Sequence, residues 1–233
     1  MKRFLLIGLV LMLLTTGCMH SPQMSQASVA QPEFNWFNRD GSVNWDADAL
    51  PIDFIAVHYS ALPSDATWVK ISNLQRKTLY EPRYQSSSAE PKVSGEPHSG
   101  HYRAVGGELR EVFYAYHWLI KLNGERERLL LDKEVGWHSG NWNMNCRSIA
   151  ICFAGNFAHS RPTDQALNSC ADLITGYIKK FPAIKAETNI IGHQEVNPKT
   201  ECPGNEFLGL EGWKGELIRK TQALLKNPEK GGG

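Results

Sequence analysis

Apolar residues recur in two rhythms along this chain, and the rhythm separates strands from helices. Short, nearly uninterrupted runs at Phe54-Ile55-Ala56-Val57-His58, Tyr116 to Lys121, Glu127 to Leu131 and Ser148 to Phe153, with a brief one at Asn189-Ile190-Ile191, have the length and composition of strands. Asn123-Gly124 stands between the second and third runs. That dipeptide supplies the positive φ of a tight hairpin, so those two strands are expected to be antiparallel neighbours. A helical rhythm begins after Pro162-Thr163: Leu167, Cys170, Leu173, Ile174, Tyr177, Ile178 and Phe181 follow i, i+3, i+4, i+7 spacing, with Thr163 to cap the start and Pro182 to stop the end. Two further helices are expected at about 65–79 and 213–225. Strands interleaved with helices, plus a hairpin, predict a single α/β domain with a central mixed β-sheet flanked by α-helices. Between Tyr80 and Arg110 the pattern fails, and Ser86-Ser87-Ser88, Gly95, Gly100 and Gly106-Gly107 punctuate a polar stretch that reads as a long loop. Loops of that length in compact domains are usually functional or disordered.

The chain ends read differently. Lys2 and Arg3 precede an unbroken apolar run, Phe4 to Leu14, closing on Thr15-Thr16-Gly17-Cys18. A charged start, a short apolar stretch and a small-residue cleavage site make residues 1–18 an export signal, too short to span a bilayer in the ordinary way. Cys18 directly after Thr-Thr-Gly resembles a bacterial lipoprotein signal, with Thr15 where Leu is usual. The resemblance implies that Cys18 becomes the acylated first residue, giving a lipid anchor in the membrane. Met19 rather than Asp at the next position points to the outer membrane, facing the periplasm. Residues 19–31 read as a flexible tether, 32–226 as the folded domain and 227–233 as a frayed tail.

Charge narrows the partners. The 25 Lys+Arg against 24 Asp+Glu give a formal charge of +1, and removal of Lys2 and Arg3 makes it −1. Without a long basic run there is no electrostatic footprint for nucleic acid, and an aromatic content of 10% argues against disorder. The domain is expected to be a monomer.

The candidate chemistry lies at strand ends. His58 closes the first apolar run, His193 closes Ile190-Ile191-Gly192, and Cys202 sits in the turn Glu201-Cys202-Pro203-Gly204. Alone, each reads as a satisfied core histidine or a buried thiol. Together, two imidazoles and a thiolate suit zinc, and three protein ligands with a fourth position for water define a catalytic site. Generic spacing does not single out this triplet, which is neither CxxC nor HExxH. His98 and His101 have metal-like spacing too, but in a Gly/Ser-rich stretch they read as a solvated pair.

Four blocks carry a wider likeness: Ile55 to Ala61, Tyr116 to Gly124, Ser148 to Phe157, and Gly192-His193 through Cys202-Pro203-Gly204. In this order they resemble the zinc N-acetylmuramoyl-L-alanine amidases, a family that includes phage amidases and the peptidoglycan recognition proteins. The resemblance spans roughly Ile52 to Trp213 and implies a mixed sheet with zinc in a groove. It also implies hydrolysis of the amide between N-acetylmuramic acid and L-Ala in peptidoglycan or muropeptides. On it, His58, His193 and Cys202 match the zinc ligands, and Tyr116 matches a catalytic tyrosine that orients water or donates to the oxyanion. The stretch from His193 to Cys202 holds one residue more than the related sequences. Counted from His193, Lys199 falls on the phage enzymes' catalytic lysine; counted back from Cys202, Thr200 falls on the recognition-type threonine. Lys199 is preferred, because an ammonium stabilises an oxyanion more strongly than a hydroxyl.

His138, in Gly136-Trp137-His138-Ser139-Gly140, matches a groove histidine near the substrate, and Trp137, Trp142 and Asn143 are expected to line the same groove. Cys152 stands where the cytoplasmic anhydro-muropeptide branch has a catalytic glutamate, which places the chain nearer the tyrosine-using branch. With Cys18 lipidated and Cys202 on metal, Cys146, Cys152 and Cys170 remain, and no disulfide pairing follows from three thiols. The expectation is a lipid-anchored zinc amidase acting on peptidoglycan. Its rival is a non-catalytic peptidoglycan-binding lipoprotein of the recognition type, against which the retained Cys202 and Tyr116 speak.

Overall fold

The computed structural model describes residues 45–75, 77–78, 102–105, 108–111, 116–209 and 211–227. The expected export signal with Cys18, the tether, the tail beyond Asn227, His98 and His101 lie outside the described residues. A single 3-10 turn, Trp45–Asp48, precedes β1 (Phe54–Tyr59) and α1 (Trp68–Gln75). Then come β2 (Tyr102–Val105), β3 (Glu108–Glu111), β4 (Trp118–Ile120) and β5 (Arg126–Arg128). They are followed by α2 (Trp142–Arg147), β6 (Ser148–Phe153), α3 (Asp164–Lys180), α4 (Ala186–Asn189), β7 (Ile190–Gly192), α5 (His193–Val196) and α6 (Trp213–Lys226).

Five strands form one sheet in the order β5-β4-β6-β1-β7. β4, β6, β1 and β7 are parallel, and β5 adds an antiparallel edge, so the sheet is mixed as expected. Parallel strands bring their carboxyl ends to one edge, where α/β folds build their sites. Alternation along the strands sorts side chains between the two faces. On one face Ile55, Val57, Ile149, Ile151, Phe153 and Ile120 pack with Leu167, Ile174 and Tyr177 of α3 and Trp213 and Leu217 of α6 in the main core. Burying such side chains contributes about 2 kcal/mol each. On the other face Leu119 and Cys152 join Leu129, Leu130 and Ile71 of α1, with Trp68 and Tyr116 packed alongside. His58 is level with Cys152, and Cys152 with Leu119, so His58 belongs to this second face.

Local signals explain the boundaries. Thr163 Oγ1 accepts from Ala166 N at 3.2 Å to start α3, which ends at Lys180, two residues before Pro182. Gly124 takes φ +82° in the β4–β5 turn. The third apolar run departs from expectation. Pairing stops at Arg128, and Leu129 and Leu130 turn inward with their N–H groups on the His117 carbonyl at 2.8 and 3.4 Å. Burial of both leucines outweighs continuing the edge strand. The helix expected at 65–79 is α1, which starts only after Ala66 N closes a turn on Pro63 O at 2.9 Å. The polar stretch read as a loop holds an antiparallel pair, Tyr102↔Glu111 to Val105↔Glu108. Cys146, Cys152, Cys170 and Cys202 are buried free thiols. Among the described residues no helix is long and apolar enough to cross a membrane.

Candidate metal centre

Register brings the two histidines together. His58 is the fifth of six residues in β1, and β7 ends at Gly192, level with Val57, so His193 emerges at the neighbouring strand end. The His58 and His193 rings lie 4.8 Å apart at 55°. From α5 the chain turns back: Asn197 N bonds His193 O at 2.9 Å and Gln194 N bonds Cys202 O at 2.7 Å. The return sets Cys202 Sγ 3.3 Å from Tyr59 N, which donates to it, and 3.6 Å from His58 Nδ1. One ligand atom from each of His58, His193 and Cys202 lies within 4.8 Å of the others. His58 is fully buried and Cys202 nearly so, whereas His193 is half-buried and marks the side from which the triplet is reached.

Burial sets the protonation of these groups. It holds His58 well below the ordinary histidine range, with the neighbouring His138 and His193 adding to the effect. Burial also lowers His193, opposed by its bond to the Ser139 carbonyl. The Cys202 thiol is pushed up to about 12 by burial, against the Tyr59 N–H that favours the thiolate. Two neutral imidazoles offer lone pairs, and a buried thiol releases its proton to solvent most readily when a cation binds the thiolate left behind, so this donor set fits a borderline-soft divalent ion such as zinc.

Tyr116 stands beside the triplet, its ring 4.8 Å from that of His58 at 35°. Burial pushes its phenol well above the ordinary range, Cys152 and Cys202 reinforce this, and a hydrogen bond from Gln75 opposes it. Tyr116 therefore keeps its proton at neutral pH, so its hydroxyl has a hydrogen to donate. Gln75, buried on α1, escaped sequence reasoning, although it lies four residues after Ile71 on the same helical face. Its Oε1 is buried without a hydrogen-bond partner among the described residues.

Lys199 and Thr200 occupy the turn that carries Cys202. Lys199 is exposed, and its ammonium makes no hydrogen bond or ion pair with a described residue; its backbone N bonds Asn197 Oδ1 at 3.1 Å. Thr200 Oγ1 accepts from Cys202 N at 3.2 Å, which leaves the hydroxyl hydrogen free to donate. Trp137 and Trp142 meet edge to face at 5.3 Å, with Trp142 Nε1 donating to Asp48 Oδ2 at 3.0 Å, and Asn143 is half-buried on α2. His138, expected in the groove, lies instead behind His58: it is 5% exposed, with Nδ1 3.0 Å from His58 Nε2.

Comparison with known proteins places this arrangement in a family. Peptidoglycan-recognition protein SD of Drosophila melanogaster is 28% identical over 95 residues, 41% of this chain and 49% of that protein. An N-acetylmuramoyl-L-alanine amidase of Mus musculus is 28% identical over 78 residues, 32% of this chain and 14% of that protein. The matched segment thus spans less than half of either relative. Among solved structures, the N-acetylmuramoyl-L-alanine amidase LysC from Clostridium intestinale shares the fold with a TM-score of 0.51 and 20% identity, over 81% of this chain and 93% of that one. The family profile for N-acetylmuramoyl-L-alanine amidase matches residues 48–205, which take in both histidines, Tyr116 and Cys202, and the chain belongs to that family.

Proposed function

We propose that the protein is a zinc amidase that hydrolyses the bond between N-acetylmuramic acid and L-Ala of peptidoglycan. The observation that carries this reading is the convergence of His58, His193 and Cys202, with the protonated phenol of Tyr116 alongside. His58, His193 and Cys202 would hold zinc, which when bound would supply Lewis-acid polarisation of a carbonyl and a water acidic enough to ionise near neutral pH. The residues supply the rest. Tyr116 orients the attacking water or donates to the developing oxyanion, and Lys199 or the free hydroxyl hydrogen of Thr200 is the second donor. Lys199 keeps precedence because its charge counts for more than a hydroxyl dipole. Trp137, Trp142 and Asn143 offer aromatic faces and an amide to sugar and peptide. The recognition-type alternative, binding without hydrolysis, is disfavoured by the retained thiol and phenol.

The test is zinc content together with release of free stem peptide from purified sacculi, with and without chelator. His193→Ala is expected to lose both metal and activity, whereas Tyr116→Phe keeps zinc and loses rate by about 100-fold or more. Wild-type protein that holds zinc and releases nothing would select the binding module.

The proposal extends to location. A mature chain acylated at Cys18 sits at the outer membrane facing the periplasm, as a monomer, with its domain free to reach the wall. Cys18→Ser is expected to move the protein from the membrane fraction to the soluble periplasm; unchanged fractionation would remove the anchor from this account.

A further inference from the structure

We infer that His138, anchored through Ser148, is a positioning residue that fixes which ring nitrogen of His58 faces the metal, an inference that rests on the metal reading above. Hydrogen-bond direction fixes each tautomer. Ser148 Oγ lies 2.6 Å from Met144 O, which can only accept, so the single hydroxyl hydrogen goes there. The contact of Ser148 Oγ with His138 Nε2 at 3.1 Å then has only one sense: His138 Nε2–H donates. A neutral His138 with hydrogen on Nε2 has a bare Nδ1, which accepts from His58 Nε2–H at 3.0 Å. A neutral His58 with hydrogen on Nε2 presents a bare Nδ1, the atom that lies 3.6 Å from Cys202 Sγ. Each link has one direction, and the chain ends on a lone pair aimed at the metal position. All three side chains are 5% exposed or less, so water does not compete for the bonds.

The next residue serves the other histidine. His193 Nε2 donates to Ser139 O at 3.1 Å, leaving Nδ1 bare. His138 and Ser139 are themselves held by buried Asn145, whose Oδ1 accepts from their backbone N–H groups at 3.3 and 3.0 Å. One short segment thus sets the tautomer and ring plane of both imidazole ligands, the kind of outer support whose removal weakens metal sites by about 10–100-fold.

Two measurements test this. Long-range proton–nitrogen correlation spectra of the metal-free wild type are expected to show His58, His138 and His193 with hydrogen on Nε2. Zinc affinity, read by competition with a chelating dye, is expected to fall by about 10–100-fold in His138→Leu. Most of it should return in His138→Asn, whose carbonyl can accept where Nδ1 did, and Ser148→Ala should lose less than His138→Leu. Metal-free melting temperatures separate these effects from misfolding; should His138→Leu fail to fold, the tautomer spectrum decides. His58 with its hydrogen on Nδ1, or a folded His138→Leu that holds zinc as tightly as wild type, would overturn the inference alone. A wild type that takes up no zinc would bring down the metal reading with it.

Discussion

Gly204 is where the ligand loop has least room. It takes φ +128°, a conformation that side chains resist, and a Cβ placed there would lie 2.0 Å from the Phe157 carbonyl oxygen. The same residue accepts from Gln194 Nε2 at 3.3 Å and from Phe207 N at 3.1 Å, so it cannot shift without moving the segment around Cys202. Gly204→Ala is therefore expected to cost about 2–4 kcal/mol in denaturant melts and to weaken zinc binding although every ligand remains. An alanine variant with unchanged melting and unchanged zinc affinity would show that the loop has slack. The turn itself was legible in Cys-Pro-Gly, but the close approach was not, because Phe157 arrives from another part of the chain. The same division runs through the site. His58 and His193 are legible as histidines closing strands and Cys202 as a thiol in the turn that follows, while Tyr116 is legible only through the family resemblance. Gln75, Ser148 and Asn145 gain their roles only from partners that folding brings beside them, and His138 reads as a groove residue until Ser148 is seen behind it.

At the scale of elements, one carboxylate joins the sheet edge to the long helix. Asp132, just past β5, accepts from Arg128 Nη2 at 2.6 Å, from the Tyr177 hydroxyl of α3 at 2.7 Å and from Lys180 Nζ. Tyr177 in turn accepts from Trp118 Nε1 of β4 at 2.7 Å. Burial acts to raise the Asp132 carboxyl, but the bonds from Lys180 and Tyr177 and the charge of Arg128 outweigh it and hold it below the ordinary aspartate range. A folded-state value below the unfolded one means that the ionised carboxylate stabilises the fold. That contribution is complete above the ordinary carboxylate range and fades as pH falls through the folded value. Because Lys180 and Arg128 are largely solvated, Asp132→Asn is expected to cost only about 1 kcal/mol at pH 7, or about 2–4 °C of melting temperature. The gap to wild type should close as pH is lowered towards 3, and a gap independent of pH would refute the clamp. Elements with strong rhythm, β1, β6, α3 and α6, were legible to within a residue or two. The short helices α2, α4 and α5 are too brief for a helical period to show, and the β2–β3 pair was hidden because its polar residues look like loop despite the Gly-Gly between them.

For the molecule as a whole, the sheet separates what holds the fold from the residues proposed to hold the metal. The main core lies between the sheet and α3 with α6, and none of its members is a proposed ligand. The triplet lies at the carboxyl edge, with His58 on the opposite face, His193 past the end of β7 and Cys202 on the following loop. β1 and β7 are already paired through Ile55↔Ile190 to Val57↔Gly192, so two ligands are set side by side without help from a cation. Zinc should therefore add to a domain that folds without it, in contrast to small metal-dependent folds that collapse when stripped. Binding to the native state alone contributes RT ln(1 + [Zn]/Kd), about 2.7 kcal/mol at a hundredfold excess over Kd. For a domain of this size that corresponds to a drop of about 5–10 °C in melting temperature on chelation. Far-ultraviolet circular dichroism should stay native, the transition should remain single, and the lost degrees should return on adding zinc back. The tertiary signal of Trp137 and Trp142, whose segment contacts His193 through Ser139, is expected to change on stripping, while that of Trp213 in the main core is not. Global unfolding on chelation would mean that the cation organises the strands, and the division between the two faces of the sheet would have to be abandoned.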